Sequence, residues 1–165
     1  MTRKINTKDL VTKIQKLTKE RMAKSDVVGL DDIRRLRGGK VTRTILIIED
    51  DETIRAALRR VFEGEGYRVL AAADGTQLSE VLDDSAVDLI MLDVGLPWIN
   101  GFELAEMMKA HDDLSDIPLI FLSARTSDAD VKRGFEVGAD DYIKKPFDIE
   151  KVKKTVNTLI QLAHN

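Results

Sequence analysis

The stretch TILIIEDDETIRAALRRVFEGEG, residues 44–66, changes its apolar period halfway along, and that change decides the fold. Residues 44–49 form a short, β-branched, apolar run, the pattern of a strand buried on both faces. From Glu52 onward, Ile54, Ala57, Leu58, Val61 and Phe62 fall at helical spacing, and Gly64 and Gly66 close the segment. The same alternation recurs. Further strands are predicted at 67–72, 87–92, 117–122 and 141–144, with helices at 76–82, 101–110, 128–137 and from Asp148, whose carboxylate can cap the last. Pro118 lies near a strand start, where its missing N–H is tolerated, and Gly138 suits a helix C-cap. Five strands alternating with five helices point to an α/β fold of right-handed βαβ units, a parallel sheet doubly wound with helices on both faces.

Charge divides the chain at the same place. The first 44 residues carry 13 Lys and Arg against 5 Asp and Glu, whereas the remaining 121 carry 13 against 24. A segment of +8 followed by one of −11 suggests two physical units, residues 1–43 and residues 44–165. Cysteine is absent, which excludes a disulfide framework and a thiolate metal site and fits a reducing compartment. No apolar run approaches the roughly 20 residues of a membrane span, and the basic N-terminus lacks the apolar core of a secretion signal. A cytoplasmic location is expected.

In open sheets of this kind, ligands bind at the carboxyl ends of the strands. Glu49 and Asp50, Asp93, Ser123 and Lys145 each follow an apolar run and so gather at that end. Taken singly, each has an ordinary explanation. Acids at a helix N-terminus gain roughly 0.3–1 kcal/mol each from the macrodipole, loops after strands are often acidic, and a lone lysine or serine is usually solvated. Taken together, they form a chemical set. Three converging carboxylates repel one another unless a hard cation resolves the charge, and Mg²⁺ favours one or two carboxylates plus waters and phosphate oxygens. Asp50 and Asp93 suit direct ligation, Glu49 ligation through water, and a backbone carbonyl beyond Asp93 completes the protein's share. Asp93 is the candidate nucleophile, since carboxylates form acyl phosphates. Lys145 is a second countercharge, and the Ser123 hydroxyl can donate to a phosphoryl oxygen.

The fragments ILIIEDDETIR, MLDVGLPWINGFEL, IFLSAR and GADDYIKKPF strongly resemble the response-regulator receiver domain of two-component signalling, over residues 44–163. The resemblance implies a (βα)5 sheet in the order 2-1-3-4-5, Asp93 as phosphoacceptor, and Glu49 and Asp50 as the acidic pair with Arg55 after it. It further implies Gly95 as source of the carbonyl ligand, Ser123 and Tyr142 as switch residues, Lys145 as the lysine of the site and a cis Lys145–Pro146 bond. Phosphorylation of Asp93 would draw Ser123 toward the phosphoryl group and let Tyr142 rotate inward, reshaping the helix 4–strand 5–helix 5 face. The implied partners are a histidine kinase or histidine phosphotransfer protein upstream and a protein target downstream, with Mg²⁺ as cofactor and no enzymatic turnover. The sequence departs from the family pattern at Gly95, at Arg125, at Asn100, which replaces an Asp and reads as a cap swap, and at Trp98, which reads equally as a loop aromatic or a partner contact.

The alternative is a Mg²⁺-dependent phosphatase with an Asp nucleophile. The haloacid dehalogenase group carries D-x-D on its first strand, whereas this strand ends Glu49-Asp50-Asp51. No separate output domain is expected after the fifth helix, so output is expected from surfaces of the receiver or from residues 1–43. In that extension Leu10, Ile14 and Leu17 share a helical face among lysines, and a second short helix starts near Asp31. Docking on its own receiver or self-association with a second copy is the first reading, ahead of binding a separate protein. Nucleic-acid binding through Arg34, Arg35, Arg37 and Lys40 is the weaker one, because basic runs are usually solvated faces. Gly38-Gly39-Lys40 lacks the Ser/Thr and the preceding strand of a phosphate loop.

Overall fold

The computed structural model describes residues 10–12, 14, 41–84 and 86–164. The second helix expected near Asp31, Leu17 and the basic cluster from Arg34 to Lys40 lie outside the described residues. Five parallel strands are ordered β2-β1-β3-β4-β5: β1 Thr44–Ile48, β2 Arg68–Ala72, β3 Leu89–Leu92, β4 Leu119–Ser123 and β5 Asp141–Lys144. The helices are α1 Glu52–Gly64, α2 Gly75–Asp84, α3 Gly101–Lys109, α4 Asp128–Glu136 and α5 Ile149–His164, with a single helical turn at Asp112–Ser115.

The alternation of strand residues builds two cores. Ile45, Ile47, Leu89, Met91, Ile120, Leu122 and Ile143 face α1 and α5, meeting Leu58, Phe62, Val152, Val156 and Ile160. Leu46, Ile48, Ile90, Leu92, Leu119 and Phe121 face α2 and α3, meeting Leu78, Leu82, Phe102, Leu104 and Met108. Period-two runs with both sets buried are what a doubly covered parallel sheet requires. Ala57, expected inward, is exposed, and α1 presses on the sheet chiefly through Leu58 and Phe62.

Strand starts differ from the sequence expectation, each for a hydrogen-bonding reason. Tyr67 does not open β2, because its amide donates to the Phe62 carbonyl and, with Gly66 at φ +91°, finishes α1. Val87 and Asp88 precede β3; the Asp88 amide donates to the Thr44 carbonyl and its carboxylate accepts from the Thr44 amide at 2.7 Å. Ile117 closes the helical turn on Leu114 and Pro118 has no N–H, so β4 begins at Leu119 and runs through Ser123. The turn itself was not expected, since DDLSD reads as polar loop; Leu114, 4% exposed, anchors it.

Candidate functional site

All the strand ends converge as the topology dictates. The Glu49 amide donates to the Ala72 carbonyl and the Asp93 amide to the Ile48 carbonyl, so both residues sit one step past the ladder at the carboxyl edge. Ser123 is the last residue of β4 and Lys145 follows β5, its amide donating to the Ser123 carbonyl. The Lys145–Pro146 bond is cis.

The side chains of Glu49, Asp50 and Asp93 each offer an oxygen within 4.8 Å of the others. Glu49 and Asp93 are buried, at 2% and 7% exposure, and Asp50 is exposed. Lys145 Nζ lies 2.7 Å from Glu49 Oε2 and 3.4 Å from Asp93 Oδ2, bridging the two buried acids. The Gly95 amide donates to Asp93 Oδ1 at 3.1 Å, and the Asp51 amide to Glu49 Oε1 at 3.3 Å. Arg55 is turned to the backbone, its guanidinium donating to the Glu49 carbonyl at 2.9 Å and the Asp50 carbonyl at 3.2 Å.

Burial pushes the Glu49 carboxyl above the ordinary carboxylate range, the hydrogen bond from Lys145 opposes this, and the charge of Asp93 adds to it. Burial would lower the Lys145 ammonium, but its hydrogen bond to Glu49 and the fields of Glu49 and Asp93 outweigh burial and hold it above its usual value. The two shifts bear on one contact from opposite sides. At 2.7 Å between Nζ and Oε2, the charged pair is the arrangement that the geometry describes. Three carboxylates then face one ammonium, an all-oxygen donor set with charge to spare, which fits a hard divalent cation such as Mg²⁺ better than a soft metal.

Ser123 is 1% exposed, and its hydroxyl accepts from the Arg125 amide at 3.0 Å. Tyr142, expected to rotate inward on modification, is already inside, at 7% exposure. Its ring centroid lies 5.8 Å from that of Phe121, and its hydroxyl donates to the Arg125 carbonyl at 2.5 Å. Burial raises the phenol above its ordinary range. Room for the ring comes from Gly134, where a Cβ would stand 2.6 Å from Tyr142 Cδ2.

Two glycines escaped the sequence reading. A Cβ on Gly101 would stand 2.5 Å from the Asp93 carbonyl oxygen, so only glycine lets α3 start directly against the Asp93 backbone. The signal available was Asn100-Gly101 before an apolar run, and Asn100 caps α3 by accepting from the Phe102 amide at 2.8 Å. Gly134 had no local signal, because the group it accommodates lies on another element. Gly95 is open: a Cβ there would meet only Asp93 Oδ1, at 3.9 Å. Trp98 is half-buried, and its indole donates to the Ala73 carbonyl at 3.2 Å, tying the loop after Asp93 to the loop after β2.

Comparison with known proteins follows the same lines. A family model described as response regulator receiver domain matches residues 45–157. The transcriptional regulatory protein YvrH of Bacillus subtilis (strain 168) is 47% identical over 105 residues, 63% of this chain and 43% of that protein. A crystal structure of a putative response regulator from Chloroflexus aurantiacus J-10-fl superposes with a TM-score of 0.68 at 31% identity, over 73% of this chain and 99% of that one. The receiver domain of the sensor histidine kinase PA1611 from Pseudomonas aeruginosa PAO1, described with a magnesium ion coordinated in its active site cleft, superposes with a TM-score of 0.65 at 26% identity, covering 73% and 99%. The chain spans about half the length of the curated relatives it matches. Among the described residues, no helix is long and apolar enough to cross a membrane. With the sheet order, the acidic cleft and the family match in agreement, the chain belongs to the response regulator receiver domain family of two-component signalling.

Proposed function

We propose that this chain is a phosphorylation-dependent switch in which Asp93 accepts one phosphoryl group from a histidine kinase or histidine phosphotransfer protein. The observation that carries this is the packing of Glu49, Asp50 and Asp93 oxygens within 4.8 Å, with Lys145 bridging the two buried acids. Asp93 is held for the task. The Gly95 amide fixes Oδ1, Lys145 stands beside Oδ2, and the open side at Gly95 gives a donor room to approach. A carboxylate oxygen of Asp93 forms the new bond to phosphorus as the donor's P–N bond breaks, and the leaving imidazole takes up a proton. Asp50, Asp93, the Gly95 carbonyl and, through water, Glu49 would hold Mg²⁺, which when bound screens the charge on the transferred group.

Lys145 offers an ammonium to the phosphoryl oxygens, and Ser123 offers its hydroxyl in exchange for the contact that it makes at rest. Because Arg125 holds both groups, its amide donating to the Ser123 hydroxyl and its carbonyl accepting from the Tyr142 hydroxyl, movement of Ser123 alters what holds the ring, and the change reaches the surface of α4, β5 and α5, where a downstream protein docks. Moving such an element from mostly off to mostly on takes about 5 kcal/mol of differential stabilisation. Tyr142 already inside lowers the requirement. The chain acts as a stoichiometric acceptor, without turnover. With acetyl phosphate and Mg²⁺, the wild type is expected to gain one acid-stable, base-labile phosphoryl adduct, and Asp93→Asn none. Retention of the adduct in Asp93→Asn, or sustained turnover of p-nitrophenyl phosphate by the wild type, would overturn the proposal.

A further inference from the structure

We propose that the basic segment around Leu10 and Ile14 is an intramolecular ligand of its own receiver, docked on the sheet face that α2 and α3 cover. Leu10 and Ile14 are 1% and 0% exposed, and they belong to the same apolar cluster as Leu46, Ile48, Leu78 and Leu82. Residues four apart on a helix share a face. The exposure pattern is one-sided: Leu10 and Ile14 are buried, Val11 is half-buried and Thr12 is exposed. A lone amphipathic helix leaves its apolar stripe wet, so burial this complete requires a partner surface.

Charge selects the partner. The extension carries +8 and the remainder of the chain −11, so opposite charge favours the receiver as the surface that buries Leu10 and Ile14. Tethering selects the copy. The segment joins β1 at Thr44, and a linker of this length keeps it at an effective concentration on the order of millimolar, well above that of a second molecule at micromolar protein. The seat is also continuous with the loop after the acceptor. Trp98 packs on this cluster, five residues beyond Asp93. Leu10 and Ile14 thus join the core on the face of the sheet opposite the one that α1 and α5 cover.

The test uses the full-length chain, with Leu10→Asp/Ile14→Asp set against the conservative Leu10→Met/Ile14→Val. Wild type is expected to sediment as a monomer, with slow amide hydrogen exchange around Leu10–Ile14 and in α2. The Asp variant loses that protection, melts at least about 5 °C lower, and shifts the emission of Trp98, the single tryptophan; the conservative variant retains all three properties. Random-coil exchange around Leu10–Ile14 in wild type, or unchanged exchange and melting in the Asp variant, would refute the docking. A wild-type dimer that the Asp variant dissolves would assign the seat to a second copy and refute the intramolecular form. Phosphoryl labelling of Asp93 is scored separately and is expected to persist in both variants, so loss of one proposal leaves the other standing.

Discussion

Lys145 sets the electrostatics of the cleft, and its removal separates two effects. Glu49 is 2% exposed and would lose the ammonium 2.7 Å away, while Asp93 would lose the one 3.4 Å away. Breaking a buried pair by deleting one partner costs roughly 3–5 kcal/mol, and the residual solvent contact of Lys145 places Lys145→Met near the lower end. Urea denaturation in the presence of chelator is expected to show that loss. Mg²⁺ should bind Lys145→Met more tightly than wild type, because the same acids then lack a competing cation, whereas Asp50→Asn should bind it at least several-fold more weakly; Trp98 emission titrated with Mg²⁺ measures both. A variant of Lys145 with unchanged stability would show that the pair is not formed in solution. At Gly134 the constraint is steric. Ala places a Cβ 2.6 Å from the Tyr142 ring and 3.2 Å from Phe121, so Gly134→Ala is expected to cost about 1–3 kcal/mol and expel the ring from its inward position. The expelled ring would report as a rise in tyrosine accessibility to quenchers. The acids, Ser123 and Lys145 could be read from sequence because each follows an apolar run. Gly134 could not, since its neighbours Phe121 and Tyr142 reach it only through tertiary packing.

At the scale of elements, both tyrosines of the chain act at joints between helix and sheet. Tyr67 lies between α1 and β2, edge-on to Phe62 and hydrogen-bonded to Asn157 of α5. Tyr142 lies between β5 and α4. Burial raises both phenols above the ordinary value of 10.0. The unfolded chain releases these protons near pH 10, whereas the folded chain retains them, so their contribution to stability is complete below pH 10 and is lost as pH rises through the folded values. Near-ultraviolet absorbance at pH 10 is therefore expected to show less than the half-ionisation of free phenols, with ionisation rising further as the chain unfolds above that pH. Half-ionisation at pH 10 in a folded chain would contradict the buried placement of the rings. The type of the five strands and of the five helices between and after them was readable, because short β-branched apolar runs alternate with stripes of period 3.6, whereas the single turn at Asp112–Ser115 was not. Element ends were less readable. Tyr67 forfeits a place in the ladder to a local hydrogen bond, Asp88 to its bonds with Thr44 and Pro118 to a missing N–H, and such competition leaves no trace in hydrophobic periodicity.

Across the whole molecule, chemistry and anchoring sit at opposite ends of the sheet. Glu49, Asp93, Ser123 and Lys145 lie at the carboxyl ends of the strands, whereas Asp88 gathers chain segments at the amino ends. Its Oδ2 accepts from the Thr44 amide at 2.7 Å; its Oδ1 lies 3.8 Å from Arg43 and 3.4 Å from His164 at the end of α5. One carboxylate therefore links the entry to β1, the start of β3 and the last turn of α5. The contacts to Arg43 and His164 are long and partly solvated, so each contributes little, and the backbone bond dominates. Asp88→Ala leaves the Thr44 amide at the sheet entry without its acceptor, and is expected to lower stability by about 1–3 kcal/mol. Asp88→Asn keeps an oxygen for that amide and should recover most of the loss, which assigns the effect to the hydrogen bond rather than to charge. Urea denaturation should show a lower midpoint with an unchanged slope, the signature of a folded state weakened but not restructured. The rate of Asp93 labelling by acetyl phosphate should be unchanged in both variants, because the length of β1 and β3 separates Asp88 from the cleft. If Asp88→Ala instead slowed labelling at temperatures where it is folded, the two ends of the sheet would be coupled, and the separation of anchoring from chemistry would be wrong for this receiver.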